Sequence, residues 1–159
     1  MMHMPKPAEA HRKLAGLAGD WTGQEKMPPS PWDPKGGMAV GRCHNRLAAD
    51  GFVLVHDYEQ ERDGAVNFHG HGVFSFDSVE KSYLLHWWDS MGMGINVFKG
   101  QLEGNKLQLL CSHAQGMSRG TWEFVDANHY RFLMEMSADG QKWMPMIEGD
   151  YTRESQKTA

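Results

Sequence analysis

Cysteine is nearly absent from this chain. The two residues present, Cys43 and Cys111, cannot form a disulfide framework, so a cytoplasmic, reducing location is the simplest expectation. Long apolar runs are missing as well. None approaches the ~20 residues a membrane-spanning helix needs. The opening Met1-Met2-His3-Met4-Pro5-Lys6-Pro7 has no apolar segment of the kind a secretory signal carries. Positive charge is not in excess: 16 Lys and Arg stand against 20 Asp and Glu, for a net charge of −4. With no basic stripe, nucleic acid and anionic membrane are excluded as expected partners. Nucleotide and nucleophile signatures are missing too, with no Walker A loop, no Gly-x-Gly-x-x-Gly and no Gly-x-Ser-x-Gly, and the expectation is that no cofactor is needed.

Helical periodicity is scarce. Residues 8–18, Ala-Glu-Ala-His-Arg-Lys-Leu-Ala-Gly-Leu-Ala, are the one stretch built of good helix formers, with Pro7 suited to a first turn. Ala10, Leu14 and Leu17 fall on one face, as in a short helix that caps a barrel end, and Gly19 ends it. From there on the chain is a series of short alternating runs punctuated by glycine turns such as Asp50-Gly51, Asp63-Gly64 and Asp139-Gly140. These runs predict ten strands, at 20–27, 38–48, 51–62, 65–77, 82–89, 94–102, 105–112, 117–125, 129–137 and 141–153. Short connections favour antiparallel neighbours, and closure removes the exposed edges of a long meander. The predicted fold is all-β: one antiparallel barrel of about ten strands with a short N-terminal helix, spanning residues 1–159 as a single domain with frayed tails at 1–6 and 154–159. A barrel of eight or more strands has room for one small ligand.

Six Trp, seven Phe, four Tyr and twelve Met accompany a polar mean hydropathy of −0.58. That mixture suits a barrel with mixed faces. Methionine fills irregular gaps in cores and adapts to ligands, and gap filling is the commoner use. Residues 28–37, Pro-Pro-Ser-Pro-Trp-Asp-Pro-Lys-Gly-Gly, cannot be regular structure. This loop is expected to be an ordered lid, with Trp32 folded inward over one end of the barrel.

Several segments carry a resemblance. Leu17-Ala18-Gly19-Asp20-Trp21 is similar to the Gly-x-Trp opening of the calycin superfamily, which includes lipocalins and fatty-acid-binding proteins. A wider match runs through Met27-Pro28-Pro29-Ser30-Pro31-Trp32-Asp33-Pro34, Asp57-Tyr58-Glu59-Gln60-Glu61-Arg62-Asp63-Gly64, Gly70-His71-Gly72-Val73-Phe74, Trp88-Asp89-Ser90-Met91-Gly92 and Met134-Glu135. It resembles a bacterial family of calycin-like barrels known only as a domain of unknown function. The resemblance implies the barrel and, for Trp21, a place at its closed end. It supplies no reaction and no catalytic residue.

The candidate ligand-binding residues are Trp32, Tyr58, Trp87, Met134 and Trp143 as apolar lining, with His71, Asp89 and Arg119 as polar anchors. Trp87 and Trp88 are adjacent on a strand, so one faces in and the other out. His69-Gly70-His71 puts two imidazoles on one strand face, the nearest approach to a metal motif. It resembles the His-x-His of cupins, but the glutamate expected a few residues on is replaced by Val73, Phe74, Ser75 and Phe76. Parity decides the matter: if Phe68, Phe74 and Phe76 point inward, both histidines point outward. Glu135, Glu148 and Arg119 interrupt apolar strands, and each is either an outward charge or a buried one with a partner; Glu135 opposes the parity of Met134 and Met136, favouring outward. Cys111 and His113 share a face, yet a thiol in an apolar strand is more often inert.

The leading expectation is a barrel that binds one small, partly apolar or aromatic molecule. The alternatives are an enzyme using His71 or a His69/His71 metal inside the barrel, and a haem-binding barrel needing one inward histidine with space opposite it. A homodimer is compatible with outward aromatics, although no heptad or swap signal calls for one.

Overall fold

The computed structural model of the chain describes residues 2–155; Met1 and residues 156–159, parts of the two expected frayed tails, lie outside the described residues. Ten antiparallel strands form a closed barrel, each bonded to its neighbours in sequence and β1 closing on β10. They are β1 (Gly19–Met27), β2 (Gly37–Ala48), β3 (Val53–Arg62), β4 (Ala65–Asp77), β5 (Ser82–Asp89), β6 (Asn96–Glu103), β7 (Lys106–His113), β8 (Gly116–Asp126), β9 (His129–Ser137) and β10 (Met144–Arg153). The all-β barrel predicted from the alternating runs is therefore present. β3, β6 and β10 begin two or three residues later than their patterns suggested. Before β3, Ala49–Gly51 forms a 3₁₀ turn with Asp50 in the left-handed region, which consumes the start of that run.

The expected helix 8–18 is shorter and split. An α-helical turn, α1 (Glu9–Lys13), tightens into a 3₁₀ segment at Leu14–Leu17. Gly16 lowers helix propensity there, and 3₁₀ geometry is common where a helix ends. Leu14 and Leu17 are buried as expected, and His11 is buried with them. His11 stands edge-on to Phe52 and Phe76, at 5.0 and 5.4 Å between ring centres. The Tyr83 hydroxyl donates to the Ala10 carbonyl at 2.7 Å. The N-terminal segment thus plugs the end of the barrel where β1, β3 and β5 start.

Trp21 occupies the position the Gly-x-Trp pattern implies. It is 1% exposed, its Nε1 donates to the Leu17 carbonyl at 3.0 Å, and its ring meets Tyr130 edge-on at 4.8 Å. The Arg153 guanidinium lies 4.2 Å over the same ring and donates to the Gly16 carbonyl at 3.1 Å. One cation thereby ties the last strand to the plug.

The proline loop is tied by hydrogen bonds, but its tryptophan contradicts the lid expectation. Trp32 is 68% exposed. The Ser30 and Asp33 amides each donate to the other residue's carbonyl, at 2.9 and 3.1 Å. Arg62 donates to the Asp33 carboxylate at 2.7 Å and to the Gly36 carbonyl at 2.6 Å. These bonds strap the loop to β3, and the tight turn directs residue 32 away from the barrel mouth. Gly36 permits the strap: at φ +62°, an added Cβ would sit 2.3 Å from the Met27 carbonyl oxygen.

Candidate functional site

Phe74 is fully buried and Phe68 lines the interior, so the even-numbered residues of β4 face in. His69 and His71 consequently face out and are exposed. The expectation of a metal site inside the barrel is corrected by this parity. Among the described residues, no three His, Cys, Asp or Glu side chains converge on one point. His71 Nδ1 lies 2.5 Å from the Asp57 carboxylate on the outer wall. Burial pushes Asp57 up, but the His71 bond and charge, with Arg46, outweigh it and hold the carboxyl below its ordinary value.

Inside the barrel is a cavity of about 260 Å³. Tyr58, Trp87, Asp89 and Met134, four of the eight sequence candidates, line it together with Cys43, His56, Phe68, Leu85, Asn96, Phe98, Ser118, Trp122, Tyr130, Phe132, Ile147 and Tyr151. The other four lie elsewhere. Trp32 and His71 are on the exterior. Arg119 makes a two-pronged pair with Glu135 at 3.0 and 3.1 Å. The two are cross-strand partners on the face opposite Trp122 and Met134, so Arg119 is no interior anchor. Trp143 covers that pair, its ring 4.0 Å from the Arg119 guanidinium carbon. The pair has a partner because both groups are largely covered and an unpaired charge there would be costly.

Trp87 faces in and Trp88 out, and glycine makes the inward placement feasible. A Cβ on Gly70 would sit 2.0 Å from the Trp87 ring, and one on Gly72 would meet the same ring at 3.1 Å. The indole therefore lies against bare β4 backbone. Its Nε1 donates to the Asp89 carboxylate at 2.9 Å, and the Met91 amide caps the other Asp89 oxygen at 3.0 Å. Asp89 thus fixes the Trp87 ring and contributes a carboxylate to the cavity wall. Trp122 stands across the barrel, against Phe132 at 5.0 Å and edge-on to Phe74 at 5.4 Å.

Two interior polar groups escaped the sequence reading. The first is His56, 8% exposed. Its Nδ1 is 2.7 Å from Asn45 Oδ1, while Asn45 Nδ2 donates to the Leu17 carbonyl at 2.8 Å. Asn45 presents its oxygen to the imidazole, so Nδ1 must carry the proton. Nε2 is left as a bare acceptor on a ring that lines the cavity. Burial lowers the His56 pKa to about 4, so the ring is neutral at pH 7. The plug at Leu17 therefore sets the tautomer of a histidine inside the pocket.

The second is Glu25, 1% exposed. It accepts from the Tyr58 hydroxyl at 2.7 Å, from Gln60 Nε2 at 3.0 Å and from the Tyr151 hydroxyl. Burial, reinforced by the charge of Glu25, raises the Tyr58 and Tyr151 phenols far above their usual range, so both remain donors. Tyr130 stacks on Tyr151 with centres 4.9 Å apart and approaches Cys43 at 3.8 Å. Burial pushes the Cys43 thiol up to about 12. Parity could have found both residues: Glu25 shares the face of Trp21, and His56 that of Leu54 and Tyr58. Cys111 is buried and its thiol raised by burial; its Sγ bonds the Ser112 carbonyl, while His113 bonds Ser118 at 2.9 Å, so the two form no catalytic pair.

Similar structures share the barrel. Rv2717c from M. tuberculosis superposes with a TM-score of 0.70 at 16% identity, covering 93% of this chain and 99% of its own. The S-type phycobiliprotein lyase CPES from Guillardia theta superposes with a TM-score of 0.63 at 10% identity, covering 94% and 95%. At these identities the likeness concerns the fold. No curated protein sequence matches the chain significantly. Residues 6–153 match the profile of a family described as "Protein of unknown function (DUF1579)". The calycin-like barrel of unknown function that the proline loop and the Gly-His-Gly segment suggested is that family, and this chain belongs to it.

Proposed function

We propose that this protein binds one small, flat, partly aromatic molecule inside its barrel. The carrying observation is the interior cavity of about 260 Å³, walled by aromatic rings and supplied with a few separate polar groups. Ligand sites are typically such concave apolar spaces with a small number of placed donors and acceptors. Trp87 and Trp122 offer ring faces and edges for stacking, His56 offers a bare acceptor, and Asp89 offers a carboxylate. The volume sits just below the roughly 300–1,000 Å³ common for larger ligands, which suits one or two fused rings.

Haem binding is the alternative that His56 raises, since this histidine faces inward with Nε2 free. Its surroundings favour the smaller ligand: Phe74, Trp87 and Tyr58 stand with ring centres 5.6, 5.8 and 6.4 Å from the imidazole, leaving no open plane for a macrocycle. The cavity-lining Ser118 hydroxyl bonds His113 Nε2 at 2.9 Å; the aromatic, largely apolar wall is what favours binding over catalysis.

The test is calorimetric titration with indole of the wild type and of Met134→Trp, which fills the cavity. Saturable one-to-one binding that disappears in the filled variant is the expected result. Binding that survives Met134→Trp would move the site to the exterior. A Soret band after haemin titration that is lost in His56→Gln would favour haem instead.

A further inference from the structure

The cavity has one sign of charge available to it. Its wall carries the Asp89 carboxylate and no lysine or arginine. Immediately behind Tyr58 and Tyr151 stands Glu25, held only by neutral donors. None of the ion pairs among the described residues includes Glu25. Three donors converge on the Glu25 carboxylate, an arrangement that favours its charged form, and in this low-dielectric space no cation cancels that charge. The basic residue that could have reversed the sign, Arg119, is spent on Glu135 outside the barrel. His56 adds no positive charge, because burial keeps its ring neutral, and its bare Nε2 accepts a proton donor without offering one.

The remaining walls point the same way. The faces of Trp87, Trp122 and Tyr58 carry the negative side of the ring quadrupole, which attracts a cation and repels an anion. The carboxylates, the bare His56 Nε2 and the ring faces together favour a ligand that brings positive charge and N–H donors.

Building on the binding reading above, we infer that the ligand is an aromatic or apolar amine, bound as its ammonium form, and that carboxylates are rejected. The ring system lies between Trp87 and Trp122. The ammonium group donates toward His56 Nε2 or Asp89, within the field of Glu25.

A matched series of indole, tryptamine and indole-3-acetate tests this. The three share one ring system and differ in charge. Affinities are measured by calorimetry at pH 7.5, with melting temperature as a second readout. Tryptamine should bind at least about tenfold more tightly than indole-3-acetate, with indole between them, as opposite interactions with one fixed charge require. Glu25→Gln should bring the tryptamine to indole-3-acetate ratio to within about threefold. Should that variant fail to fold, Asp89→Asn should still reduce the ratio. Equal affinities, or tighter binding of indole-3-acetate, would overturn the charge assignment while leaving small-ligand binding intact. If none of the three binds, the assignment and the binding reading both fall.

Discussion

Acidification offers a sharp test of the His56 environment. The pKa of this imidazole falls from 6.5 to about 4 on folding because burial disfavours its charged form. As pH drops below about 6.5 the unfolded chain takes up this proton and the folded chain does not, so stability is full above that value and is lost toward pH 4. The shift corresponds to about 3 kcal/mol in all, of which about 2 kcal/mol is lost by pH 5. That is a large share of the 5–15 kcal/mol by which domains are usually stable, and it should lower the melting temperature by ~4–8 °C. The assay is urea unfolding of the wild type and of His56→Gln at pH 7.5 and pH 5. The two proteins differ only at residue 56, so contributions from the rest of the chain cancel in the comparison. The wild type should lose about 2 kcal/mol more than the variant between the two pH values. Parallel losses, within about 0.5 kcal/mol, would show that His56 is not held neutral and would remove the Asn45 relay from the account.

Trp21→Ala should cost ~3–5 kcal/mol, read by urea unfolding, since the ring is buried against Tyr130, Arg153 and Leu17; a wild-type transition would dissociate Trp21 from the plug. Gly70→Ala should push Trp87 out of place, because its Cβ would fall 2.0 Å from the ring; weaker indole binding by calorimetry and an altered near-ultraviolet circular dichroism band are expected, and an unchanged pair of readings would refute the close packing. Trp32→Ala should leave melting temperature and ligand dissociation rate unchanged, since this side chain is exposed; faster dissociation would restore the lid. Both thiols should resist alkylation at pH 8 until the chain unfolds, because burial holds the Cys43 thiol near 12 and raises that of Cys111.

The barrel was legible because its cause is local. Alternation with period two and glycine turns specify strands one at a time, and nine meander connections leave little choice of topology. The helix boundary and the starts of β3, β6 and β10 were less legible, since 3₁₀ turns and loops consume residues that still look like pattern. Of the candidates, Trp87 and Tyr58 do line the cavity; alternation told that one of Trp87 and Trp88 faces inward but not which one. Arg119 and His71 misled because an interior anchor and an outer-wall ion pair use the same residue types. Their partners, Glu135 and Asp57, come from neighbouring strands whose register the sequence does not print. Glu25 and His56 were hidden for the opposite reason. A charged or polar residue in an alternating strand is ordinarily read as facing solvent. The hydrogen-bond partners that make burial tolerable here are an acceptor from β2 for His56 and donors from β3 and β10 for Glu25.

The most direct test of the central claim is a crystal structure of the protein grown with saturating indole. The account predicts one flat ring of density inside the barrel, between Trp87 and Trp122 and within reach of His56 Nε2. Density confined to the outer wall beside Trp88 and His71, with the interior unoccupied, would contradict it.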